Sequence, residues 1–189
     1  VPGHERVVDE LERRRLAFLA PEPTSLAHVA RDVRTIGAAL GETARAEQVA
    51  AELEAAFVPV ADPDPARIVV EWWPKPVYVP GADSWVTDLL RCAGAVNPFE
   101  GRPHKSFALT SEDAVDADIE AVVISWCGVP TARYRPDVVR RRAGWASVPA
   151  VRAERIVPVP EAWLGRPGPR LVHGLDALKR IATDVKNAR

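Results

Sequence analysis

The chain has 189 residues, 47% hydrophobic and 27% charged, which is an ordinary globular composition with length enough for a sizeable core. With a formal net charge of -1 nothing suggests a polyanion partner, since a nucleic-acid binder normally shows a basic excess on one face, and no nucleic acid is expected as a partner. No apolar run reaches the ~18 residues of a membrane span, and no signal-peptide pattern is read.

Residues 3–15 read as a helix whose apolar face carries Val7, Val8 and Leu11, with Glu12, Arg13 and Arg14 toward water. A short buried strand is expected at 17–20, stopped by Pro21-Glu22-Pro23. Thr24 or Ser25 caps the next helix, whose Leu26, Val29, Ala30, Val33, Ile36, Gly37 and Leu40 recur at spacings of three and four until Gly41 ends it. Thr43 caps a second helix carrying Ala46, Val49, Ala50, Leu53, Ala56 and Phe57. The proline-rich stretch 58–66, VPVADPDPA, reads as a domain boundary.

Residues 67–85, RIVVEWWPKPVYVPGADSW, organise the rest of the chain. A strand at 67–71 breaks at Trp72-Trp73 and at Pro74 and Pro76, resumes at 77–79, and ends in a turn that starts a helix at 84–93. Prolines remove backbone donors, so a central strand does not continue there. Large rings just past the carboxyl end of a strand stand where open α/β sheets place ligands, so this loop reads as one wall of a cleft.

Residues 94–110 read as a long loop carrying Phe99, His104 and Phe107. Ser111 is the expected cap of a short helix, with Asp113 near its positive end. The apolar run 120–126, EAVVISW, reads as a strand covered on both faces. Pro136 sits at the start of a helix running to about Arg142. A third strand comes at 155–159, then Trp163 in a loop, then a closing helix at 169–185. Three strand–helix units in a row imply a parallel, Rossmann-like α/β sheet with right-handed crossovers.

Two features leave alternatives open. The cluster Arg140-Arg141-Arg142, with Arg133 and Arg135 nearby, is either a functional patch or a solvated helix face. Cys92 and Cys127 lack a CxxC neighbour, which argues against zinc, and stand as two buried free thiols or one disulfide.

Four segments carry a family likeness: SLAHVARDVRTIGAALG, IVVEWWPKPVYVPGADSWVTDLLRCAGAVNPF, LTSEDAVDADIEAVVISW and EAWLGRPGPRLVHGLDALKRI. Their order resembles ABC-transporter substrate-binding proteins whose two lobes are joined by a backbone helix, and within that class the cobalamin-binding proteins. Haem and ferric-siderophore binders share the architecture. The resemblance implies a remnant of an N-terminal lobe at 1–23, the backbone helix and a second helix at 24–58, and a C-terminal ligand-binding lobe at 67–189. Family members carry a complete lobe before the backbone helix, so about half a cleft and weak binding are expected of this chain alone.

By position, the resemblance places Trp72 and Tyr78 in the first ligand loop and Trp163 in the second, with Trp73, Trp85 and Trp126 near enough to join them. The competing reading packs these rings, and Trp145, into the core. Cobalamin is the expected transported ligand, with haem or a ferric siderophore as the alternative; no catalytic cofactor and no resident metal are expected. The implied partner is a membrane permease, docked through Glu161, which otherwise reads as a solvated acid. A different alternative is a remnant that transports nothing and pairs with a second copy through its connector helix. An extracytoplasmic location is expected if the chain belongs to a longer exported precursor, a cytoplasmic one if it is complete. As an enzyme, the chain would have to assemble Glu71, Asp83, His104 and Ser106 or Ser125. It lacks GxSxG, HExxH and GxGxxG motifs, and its histidines (4, 28, 104 and 173) are scattered, with His104 conceivable as a ligand to haem iron or cobalt. No enzyme is expected.

Overall fold

The structure, a computed structural model, describes residues 4–189; the start of the first helix expected from residue 3 lies outside the described residues. In chain order the elements are α1 (His4–Arg13), α2 (Leu26–Ala39), α3 (Thr43–Ala56), β1 (Ala66–Glu71), β2 (Trp73–Pro74), β3 (Val77–Pro80) and α4 (Trp85–Cys92). Then come β4 (Ala95–Val96), β5 (Ser106–Ala108), α5 (Ser111–Asp116), β6 (Ala121–Ile124), α6 (Pro136–Arg140), α7 (Pro149–Arg152), β7 (Ile156–Pro158), α8 (Glu161–Leu164) and α9 (Leu171–Asn187).

The strand expected at 17–20 does not form, and Phe18 and Leu19 are exposed. A strand needs a neighbour for its N–H and C=O groups, and among the described residues none pairs there. On α1, Val8 and Leu11 are half-buried and Val7 is exposed.

Ser25 caps α2 by accepting from the His28 N–H, and the Leu26 N–H donates to Asp88 Oδ2 at 3.1 Å, which ties α2 to α4. Helices α2 and α3 then cross so closely that a Cβ on Gly37 would sit 2.1 Å from the Ala46 Cβ. Glu42, not Thr43, takes the N-cap of α3, because its N–H closes the tight turn onto Gly37 O at 2.8 Å. Arg34 spans the two helices with paired bonds to Glu47 and Glu54.

Four strands form a parallel sheet in the order β4-β1-β6-β7. Side chains alternate along a strand, so Ile68 and Val70 face one side while Val69 and Glu71 face the other. The first side packs on α4, α9 and the start of α2, through Leu26, Leu89, Leu90, Leu175 and Leu178. The second side packs on Val77, Val79, Ile119, Val139, Trp145 and Val148. Trp145 is therefore core, as its core reading has it.

The stretch 94–110 is not one loop. It contributes edge strand β4 to the parallel sheet, and β5 to a small antiparallel sheet in the order β2-β3-β5. Thr110, not Ser111, caps α5, in a reciprocal box with Asp113. Trp163 lies inside the short helix α8 and not in a loop. Helix α9 presses directly on it: a Cβ on Gly174 would meet Trp163 O at 2.3 Å.

Candidate functional site

From β1 the chain crosses to β4 on one side, then returns to β6 on the other. The strand order reverses at β1/β6, and the crevice outside the carboxyl ends of those strands is where open α/β sheets bind ligands. Backbone bonds continue past both strands. The Ser125 N–H donates to Glu71 O at 2.9 Å, the Cys127 N–H to Trp72 O at 3.0 Å, and the Trp72 N–H to Tyr78 O at 2.8 Å.

Below this edge Glu71 is fully buried, which is costly for a carboxylate unless it is paired and hydrogen-bonded. Arg142 supplies a two-pronged ion pair, NH1 to Oε2 at 2.8 Å and NH2 to Oε1 at 2.9 Å. The Trp126 indole N–H adds a third bond to Oε1 at 2.9 Å. The guanidinium in turn lies 4.4 Å from the Trp145 ring centre. This cluster pins the ends of β1 and β6 to the segment after α6.

This pair is not legible in the sequence, where Glu71 belongs to a conceivable hydrolytic set and Arg142 to a solvated or functional basic run. The available signal was a lone Glu closing an apolar strand, which demands a buried cation; nothing local says which arginine supplies it. Asp83 is not beside Glu71: it accepts from the His104 N–H at 3.0 Å and donates its own N–H to His104 O at 3.2 Å. Ser106 is exposed on β5, while Ser125 is buried at the end of β6.

The rings divide by how the backbone turns them. Trp73 and Tyr78 are directly opposite across the β2–β3 hairpin, so both side chains stand on one face, 44% and 39% exposed. The Trp73 indole N–H donates to Lys75 O at 3.0 Å, which holds the ring over the hairpin tip. On the opposite face Val77 and Val79 are buried. Trp72 is buried in the core beside α4 and α9, and Trp126 is buried against Glu71 and Tyr134. Trp85 is half-buried at the start of α4, its indole N–H donating to Leu164 O at 2.8 Å. Trp163, half-buried against His173, lines a cavity of about 450 Å³ with Val157, Pro160 and Ile181, in which neither Trp72 nor Tyr78 takes part. The hairpin thus brings Trp73 and Tyr78 together at the surface, while Trp72 and Trp126 are buried on opposite sides of the parallel sheet.

Glu161 begins α8 with its side chain 15% exposed and its carboxylate 3.1 Å from Arg166. Both cysteines are free, which excludes the disulfide, and of the two only Cys92 is buried; Cys127 is exposed just past β6. Burial pushes the Cys92 thiol up to about 11. Among the described residues no group of three His, Cys, Asp or Glu is placed to hold a metal, and no helix is long and apolar enough to cross a membrane.

The profile of the family described as Periplasmic binding protein matches residues 8–162. The chain belongs to the periplasmic binding protein family. The chain is similar, at 24% identity over 162 residues, to the uncharacterized ABC transporter substrate-binding lipoprotein YvrC of Bacillus subtilis (strain 168). The match covers 82% of this chain and 49% of YvrC, so the chain spans about half the length of that relative. Among solved structures, an ABC transporter substrate-binding protein from Listeria monocytogenes EGD-e superposes with a TM-score of 0.83 at 17% identity, over 96% of this chain and 73% of that one. The periplasmic heme-binding protein RhuT from Roseiflexus sp. RS-1 gives 0.78 at 22% identity, over 95% and 72%. The periplasmic vitamin B12 binding protein BtuF of Vibrio cholerae gives 0.69 at 14% identity, over 96% and 71%. These likenesses show the fold, and with the family match they bear out the α/β class and the resemblance read from the sequence.

Proposed function

We propose that this chain contributes the ring-stacking wall of a substrate-binding component of an ABC uptake transporter, and that its ligand is a metal chelate, cobalamin first and haem or a ferric siderophore as the alternative. One observation carries the reading: Trp73 and Tyr78 stand side by side, exposed, on a hairpin braced at the carboxyl ends of β1 and β6. A flat macrocycle with polar arms is held by flat rings and a few donors, and this face offers both rings in one plane of approach. The relatives named for vitamin B12 and heme binding support the same class of ligand.

The magnitudes set what this surface contributes alone. With about 200 Å² per ring, the exposed fractions leave roughly 165 Å² to cover, or about 4 kcal/mol at ~25 cal/mol/Å². Before the cost of association this amounts to millimolar affinity at most, whereas micromolar binding takes about 8 kcal/mol. Tight binding therefore draws on contacts beyond these two rings. Within this reading Trp72, Trp85 and Trp126 are packed residues that fix the loops, and Trp163 lines a separate cavity apart from the hairpin rings. Residues 24–58 serve as the connector and 67–189 as the ligand lobe. The partner is a membrane permease, with Glu161 as the docking acid, exchanging Arg166 for an arginine of the permease. The working location is extracytoplasmic, in keeping with YvrC being named a lipoprotein.

Titration with cyanocobalamin, haemin and a ferric hydroxamate, followed by tryptophan fluorescence and repeated in Trp73→Phe, tests the proposal. Saturable quenching by one chelate that Trp73→Phe diminishes supports it. Absence of quenching by all three up to millimolar concentration removes it and leaves a folded α/β domain without this ligand class.

A further inference from the structure

On the face of the hairpin opposite Trp73 and Tyr78 lies a second, separate feature: an open cavity of about 760 Å³ between the hairpin tip and the end of α6. Its volume falls within the ~300–1,000 Å³ of small-molecule sites. Pro74, Pro76, Val77, Leu109 and Val138 supply an apolar wall.

The charges on its rim do not balance. Four charged side chains line it, Lys75, Asp137, Arg141 and Arg142. Arg142 is neutralised by Glu71, and Asp137 is held by Arg140 at 2.8 Å. Among the described residues neither Lys75 nor Arg141 has a carboxylate within 4.0 Å. The Ser111 hydroxyl, also on the wall, is committed to Ala143 O at 3.0 Å. Two uncompensated cations over an apolar wall complement a molecule with an anionic head and a compact apolar body, since charge-assisted hydrogen bonds to a carboxylate or phosphate are the strong ones.

We propose that this cavity is a binding site for a small organic anion, a carboxylate or phosphate monoester whose head lies between Lys75 and Arg141 and whose apolar body rests on Leu109, Val138 and the two prolines. The site does not depend on the chelate reading, because Pro74 and Val77 face away from Trp73 and Tyr78. It does bear on the same hairpin: the Lys75 carbonyl that receives the Trp73 indole N–H belongs to the residue whose ammonium would meet the anion.

Isothermal titration with phenyl phosphate, inorganic phosphate and benzyl alcohol tests the site part by part. Phenyl phosphate is expected to bind at one site, roughly tenfold tighter than either fragment, because it alone satisfies both halves of the cavity. Lys75→Ala and Arg141→Ala are each expected to weaken it roughly threefold to tenfold, with Arg141→Lys restoring part of the loss and added salt weakening the wild type. Both positions are exposed, so the variants keep the fold, which far-UV circular dichroism checks. The proposal is overturned if phenyl phosphate shows no saturable binding, if it binds no tighter than inorganic phosphate, or if the double variant Lys75→Ala/Arg141→Ala binds it as the wild type does. Chelate titration of the same variants reads the other face separately.

Discussion

Replacing Arg142 with alanine removes the cation that makes a fully buried carboxylate tolerable. Glu71 would lose two charge-assisted bonds, at 2.8 and 2.9 Å, and keep only the Trp126 indole N–H. Arg142 is itself only 12% exposed, so little water stands ready to take its place beside Glu71. Breaking a buried pair from one side costs about 3–5 kcal/mol, a large share of a typical stability of about 5–15 kcal/mol. The assay is urea unfolding of wild type, Arg142→Ala, Glu71→Gln and the double variant Glu71→Gln/Arg142→Met, followed by tryptophan fluorescence and far-UV circular dichroism. The expected pattern is a large loss for Arg142→Ala and a double variant well short of the sum of the single losses, because removing both partners leaves no orphan charge. A loss below about 1 kcal/mol for Arg142→Ala, or strict additivity, would refute the claim that this pair pins the floor of the crevice.

The geometry sets three further outcomes. Gly37→Ala places a Cβ 2.1 Å from the Ala46 Cβ, so overpacking of about 1–3 kcal/mol should outweigh the gain of about 1 kcal/mol in helix propensity, with a lowered Tm that Ala46→Gly partly restores. Hydrogen bonds from Arg34 hold the Glu47 and Glu54 carboxyls below the usual carboxylate range. A lowered folded pKa gives stability that is present above the unfolded value near ~4.3 and lost as pH falls through the folded one. Any gap in Tm between wild type and Arg34→Ala should therefore be widest near neutral pH and close in acid; a gap that widens in acid would contradict the assignment. Desolvation raises both thiols, Cys92 to about 11, but only Cys127 is exposed, so a thiol reagent at about pH 8 should modify Cys127 first and Cys92 only on unfolding. Two fast equivalents would show that Cys92 is not buried.

The strand–helix alternation and the helices α2, α3 and α9 were legible because each carries apolar residues at its own period over many positions. The strands β2, β4 and β5 were not, since each spans only two or three residues and exists through its pairing partner, not its local pattern. The apolar run at 17–20 shows the converse, a strand-like pattern with no strand beside it. At the site, the stretch rich in rings and prolines after β1 was legible as a ligand loop, but which ring faces out was not. Trp72 and Trp73 are adjacent and point oppositely, and the parity is set by the hairpin register that pairs Trp73 with Tyr78. The Glu71–Arg142 pair joins residues far apart in the chain, so only the fold reveals it.

Calorimetric titration of cyanocobalamin and of haemin into the wild type and into Trp73→Ala/Tyr78→Ala reads ligand contact at the hairpin face most directly. Weak binding of one chelate to the wild type, in the millimolar range, and its loss in the double variant are the expected result. Equal affinity in both proteins, or heats of dilution alone in both, would contradict a stacking role for these two rings.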